Sequence, residues 1–103
     1  MTLSGKEKAA LRAEAHHLGA VVHVGKEGVT PTLVQSLDDA LRTKELVKIQ
    51  LGRSVDEKPR ELAHELATTV TAEVIQVIGK TITLYRPNPE IKGKAGDTPP
   101  WRR

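Results

Sequence analysis

Gly25, Lys26, Glu27 and Gly28 form the segment of this sequence whose residue types and spacing most directly suggest a chemical task. Two glycines three positions apart let a chain backbone come close to a sugar-phosphate chain, and Lys26 between them supplies a positive charge. Thr30 and Pro31 follow as a strong helix start, so free amides point back toward the same loop, where an anion would sit. A GXXG loop clamps a nucleic-acid backbone in this way. The same spacing also makes ordinary turns, and Glu27 would be repelled by phosphates unless its carboxylate points away.

The other patterns that resemble chemistry fail on composition or geometry. Gly79, Lys80 and Thr81 echo the end of a phosphate-binding P-loop, but Val74 stands where its first glycine is required, and a turn between strands follows instead of a helix. His64 and Glu65 begin like a zinc-protease helix, yet Thr68 occupies the place of the second histidine. His16 and His17 are adjacent on a helix and point about 100° apart, poor geometry for sharing a metal. His23 would face the open side of a sheet, toward a ligand or water. No serine or carboxylate has a readable base partner. The chain has no cysteine, which excludes disulfides, thiolate nucleophiles and cysteine-held zinc. The expectation is a protein that is not an enzyme and needs no metal or cofactor.

The elements that must position the loop can be read from the rest of the chain. Its 103 residues suit one domain, and 38% apolar with 28% charged residues suits a packed core. There is no Phe, and Tyr85 and Trp101 are the only aromatic residues counted, so the core must be aliphatic. That argues against the RNA-recognition sheet whose aromatics stack on bases. Sixteen Lys and Arg against thirteen Asp and Glu give +3, a modest basic lean that fits a polyanion. Neither a signal-peptide pattern nor a run of apolar residues long enough for a membrane span is present, so no membrane association and a cytoplasmic location are expected.

Ser4 and Glu7 have capping-box spacing before a stripe of Leu11, Ala15 and Leu18, which predicts a first helix ended by Gly19. The β-branched run at 21–24 predicts a strand. The second helix starts at Thr30 and Pro31 and carries Leu33, Val34, Leu37, Ala40 and Leu41, with Lys44 near its end. Val47, Ile49 and Leu51 alternate with Lys48 and Gln50 as in a half-buried strand. Pro59 opens a third helix with a stripe of Leu62, Ala63, Leu66, Ala67 and Val70. Residues 73–78 and 81–85 flank Gly79 and Lys80 as a tight hairpin.

The order αβαβαββ predicts an α/β fold, a four-stranded mixed sheet backed by three helices on one face. Ile75, Val77, Ile82 and Leu84 would then face the helices, leaving Gln76, Thr81, Thr83 and Tyr85 on an open polar face with Lys48 and Gln50. Residues 1–86 form the expected domain, and the Pro-, Gly- and charge-rich residues 87–103 a flexible basic tail.

The stretches LSGKEKAALRAEAHHL, VVHVGKEGVT, ELVKIQL and VIQVIGKTITLYR together resemble the CRM domain, for chloroplast RNA splicing and ribosome maturation, and in particular its stand-alone bacterial form, the YhbY family. The resemblance spans about residues 3–86, and the inferred element order agrees with the family's, which is similar to the C-terminal domain of bacterial initiation factor three. It implies a single-domain RNA-binding protein, expected to be a monomer, that associates with ribosomal RNA in precursors of the large subunit and assists their assembly. It also implies RNA-binding roles for Gly25, Lys26, Glu27 and Gly28 in the loop, Lys80, Tyr85 and Arg86 at the hairpin, and Lys6 and Arg12 on the first helix. Ala20 and Lys44 depart from a proline and a histidine common in these proteins; neither lies in the loop.

Each of these residues also has a plainer reading. Lys6 and Arg12 could be a solvated helix face, Lys80 a turn residue, and Tyr85 either an edge residue or a ring that stacks on a base. A rival reading is a protein-interaction module that docks through the open sheet face or through Ile91 and Trp101 of the tail.

Overall fold

The computed structural model describes residues 3–88; the expected tail, with Ile91 and Trp101, lies almost wholly outside them. Its elements are α1 (Gly5–Ala15), β1 (Ala20–Val24), α2 (Pro31–Lys44), β2 (Leu46–Leu51), α3 (Pro59–Val70), β3 (Glu73–Ile78) and β4 (Thr81–Tyr85), the order expected from the sequence.

Local chemistry sets the element ends. Ser4 Oγ accepts the Glu7 N–H at 3.0 Å while the Ser4 N–H donates to Glu7 Oε1 at 3.1 Å, a complete capping box. Thr30 Oγ1 accepts the Leu33 N–H at 3.1 Å, and Pro31 begins α2. At the hairpin Gly79 has φ +55° whereas Lys80 is not in the positive-φ region, the pattern of a type II′ turn and the reason for glycine at its first position.

The sheet order is β1-β2-β4-β3. β1 and β2 are parallel and joined through α2, whereas β4 is antiparallel to both its neighbours. β2 and β3 therefore run the same way, with β4 placed between them after α3 has crossed over.

On one face α2 and α3 bury Leu37, Leu41, Leu62, Leu66 and Val70 against Val22, Val24, Val47, Ile49, Ile82 and Leu84. The expectation of three helices on a single face needs correction at α1. Leu11 and Ala15 of α1 pack with Leu46, Ile75 and Tyr85 in a separate cluster. Leu46 precedes Val47 in the same strand and so points to the opposite face. It is also the cross-strand partner of Tyr85, and this apolar pair gives α1 something to bury. Ile75 is likewise corrected from the α2–α3 side to the α1 side. The pairing shifts between Val74 and Gln76, leaving Ile75 as the extra residue of a bulge. That extra residue lets Val74 and Val77, three apart, both pack on the α2–α3 layer.

A close approach of backbones joins the ends of β1 and β2. The Gly52 N–H donates to the Val24 carbonyl at 2.8 Å, and a Cβ at position 52 would lie 3.1 Å from that same oxygen. Gly52→Ala should therefore destabilise the fold by about 1–3 kcal/mol, read as a lower urea midpoint with an unchanged slope.

Candidate nucleic-acid interface

Because β1 and β2 are parallel, both deliver their following connections to one end of the sheet, and antiparallel β4 begins there too. Three segments consequently meet: the Gly25–Gly28 loop, the connection at 52–58 and the Gly79–Lys80 turn. Backbone hydrogen bonds tie them together, from the Gly52 N–H to the Val24 carbonyl and from the Leu51 N–H to the Lys80 carbonyl, both at 2.8 Å. In open α/β sheets the carboxyl ends of parallel strands are where ligands bind.

The loop is a closed turn in which the Gly28 N–H donates to the Gly25 carbonyl at 2.9 Å, leaving Lys26 and Glu27 exposed at its tip. Gly28 has φ +69°, a conformation that costs any other residue energy. Gly25 is different. Its φ is not positive, and a Cβ built on it meets nothing within 4 Å. Nothing inside the molecule requires glycine at 25, so the missing side chain leaves bare backbone facing outward beside Lys26. The loop, with His23, Thr30 and Leu33, lines a depression of about 260 Å³.

The remaining expected site residues fall into three groups. Lys80 is exposed at the same end as the loop. Lys6 and Arg12 are exposed on α1, whose core contacts with Leu46 and Tyr85 lie at the opposite end of β2 and β4. Tyr85 and Arg86 are turned inward. Tyr85 is 4% exposed and packs with Leu11 and Ala15 of α1, and Thr83 is buried too, which corrects the placement of both on an open face and turns the ring away from solvent. The Arg86 guanidinium donates to Asp38 Oδ1 at 2.8 Å, the Val70 carbonyl at 2.9 Å and the Asp38 carbonyl at 3.1 Å, tying the end of β4 to α2 and α3. Hydrogen bonds of the same kind continue past Arg86, since the Asn88 N–H donates to Glu45 Oε2 and its amide to the Arg42 carbonyl at 2.7 Å.

Arg86→Ala should accordingly cost about 2–3 kcal/mol, because it strands a half-buried carboxylate and a carbonyl together. A urea titration measures that loss. Well below the unfolding midpoint, RNA affinity should stay within about twofold of wild type, as expected for a residue with no direct contact.

Sequence reasoning passed over Arg53, Lys58 and Arg60, all exposed in or just after the β2–α3 connection. The available signal was topological: that connection leaves a strand parallel to β1 and lands beside the loop. Glu27, Asp56, Glu57 and Glu61 are interleaved with these cations, so the end of the sheet carries only a modest positive field. Among the described residues no group of three or more histidines or carboxylates could hold a metal ion, and no helix is long and apolar enough to cross a membrane.

Comparisons with known proteins agree over this whole unit. The model of the CRS1 / YhbY (CRM) domain matches residues 3–86. The probable RNA-binding protein YqeI of Bacillus subtilis is 36% identical over 90 residues, covering 87% of this chain and 94% of its own. An RNA-binding protein of Haemophilus influenzae is 34% identical over 91 residues, covering 88% and 92%. The solution structure of a hypothetical protein from Staphylococcus aureus, described as a candidate RNA binding protein, superposes with a TM-score of 0.74 at 34% identity, covering 86% of this chain and 93% of that one.

Proposed function

This chain belongs to the CRS1 / YhbY (CRM) domain family, and we propose that it is a non-catalytic RNA-binding protein that holds RNA through its Gly25–Gly28 loop. The observation that carries the reading is Gly25: a glycine that the fold does not need, at the carboxyl end of a parallel strand, next to an exposed lysine. A sugar-phosphate backbone can approach there to hydrogen-bonding distance, with Lys26 and the start of α2 offering positive charge. Lys80 and the cations of the β2–α3 connection extend the contact across the end of the sheet. The names of the relatives support RNA as the partner.

We further propose that the RNA is ribosomal RNA in precursors of the large subunit, encountered in the cytoplasm, and that the protein assists their assembly as a monomer. The family resemblance supports this part. The test is sedimentation of the purified protein with large-subunit precursor particles and with mature subunits. The wild-type protein should travel with the precursors and Lys26→Glu should remain at the top of the gradient. Equal association with both kinds of particle, or an unaffected variant, would count against the assignment.

A further inference from the structure

Clamping a backbone leaves open what lies under the bases, and the outer face of the sheet beside the loop is built for contact with them. His23, two residues before Gly25, is exposed and also lines the loop's depression. Its cross-strand partner on β2 is Gln50, whose partner on β4 is Thr81. These three side chains form one row about 10 Å long at the usual spacing of strands, which the exposed Ile78 of β3, the partner of Thr81, continues to the edge of the sheet. In the next row on that face, two residues further from the loop, Lys48 and Gln76 are half-exposed on either side of Thr83, which is buried. No carboxylate stands in either row, and Lys48 is the one charged group, so the surface suits a polyanion.

The row also has the right chemistry. With Tyr85 buried under α1, the His23 imidazole is the exposed ring that the strands offer on this face among the described residues. Histidine is one of the rings on which unstacked RNA bases pack. Gln50 is fixed in place: its Oε1 accepts from the Thr81 hydroxyl at 3.0 Å, and its Nε2 donates to the Leu51 carbonyl at 3.3 Å. Each contact uses one of two hydrogen-bonding positions on its atom, so an oriented N–H and lone pair remain for the edge of a base.

We propose that the His23–Gln50–Thr81 row is the base-contacting surface for the single strand whose backbone the Gly25–Gly28 loop holds, with one base stacked on His23 and the edge of a neighbouring base bonded to Gln50. This rests on the loop reading given above, and its test separates the two. Two probes are used: a short oligoadenylate and an abasic ribose-phosphate chain of equal length. The abasic chain reports the clamp alone. Wild type should bind oligoadenylate at least about fivefold more tightly than the abasic chain, the lower end of what one stacked base contributes. His23→Ala should remove most of that preference without changing affinity for the abasic chain, which also shows that the variant is folded. His23→Phe should restore it, and Gln50→Ala should reduce it. Lys26→Glu should weaken binding of both chains alike. An unchanged preference in His23→Ala, with Lys26→Glu still damaging, overturns the base surface and spares the loop. Undiminished binding of both chains by Lys26→Glu overturns the loop and, with it, this proposal.

Discussion

Gly25→Asp should lower RNA affinity by about 10- to 100-fold, a loss of about 1.4–2.8 kcal/mol, while the thermal midpoint should move by no more than about 4 °C. The stability half of this expectation follows from the open space around position 25 and its ordinary φ, which keep an exposed substitution within about 0.5 kcal/mol. The affinity half follows from placing a carboxylate where a phosphate must approach, a like-charge juxtaposition added to steric exclusion. Gly28→Ala makes a useful contrast, because φ +69° predicts a cost to the fold of about 1–2 kcal/mol. Thermal unfolding and RNA titration on the two variants check both halves together. A Gly25→Asp protein that is destabilised as much as Gly28→Ala would show that position 25 serves the fold.

The second large effect is on stability. Tyr85→Ala should cost about 3–5 kcal/mol, since the ring is 4% exposed and packs with Leu11, Ala15, Leu46 and Ile75. A domain of this size has about 5–15 kcal/mol in total, so the variant should lie close to its unfolding transition at moderate urea. Tyr85→Phe keeps most of the packing and should retain RNA affinity within about twofold at low temperature, well inside the range of a residue without direct contact. A folded Tyr85→Phe or Tyr85→Ala protein that had lost RNA binding would instead return the ring to the interface.

The parts of the fold legible in the sequence were those with local causes. Ser4 with Glu7, Thr30 with Pro31, and Gly79 with Lys80 each specify a helix start or a turn within a few residues, and the structure has an element boundary at each. What was not legible depended on pairs remote in the chain. Leu46 reads as one more apolar residue in a strand until Tyr85 is found opposite it, and only then does α1 have a reason to cross to the other face. The bulge at Ile75 breaks the period of two on which the inward assignment of that side chain depended. Arg86 looked like a basic residue beside a hairpin because Asp38, 48 positions away, gives no sign in the sequence of being its partner.

The same division runs through the candidate site. The loop is visible because its glycines, its lysine and the following helix start are contiguous, whereas the distinction between Gly25 and Gly28 lies in backbone φ and surrounding space, which spacing does not encode. Arg53, Lys58 and Arg60 were overlooked because their nearness to the loop comes from strand direction, not from spacing.

The central claim, that the loop end of the sheet holds RNA by its backbone, is tested most directly by titrating wild type and Lys26→Glu with large-subunit ribosomal RNA fragments across a salt series. If about four to six phosphates are neutralised, log affinity should fall against log salt with a slope of about −3 to −4 for wild type, and Lys26→Glu should be weaker with a shallower slope. A slope near zero, or a variant indistinguishable from wild type at every salt concentration, would contradict it.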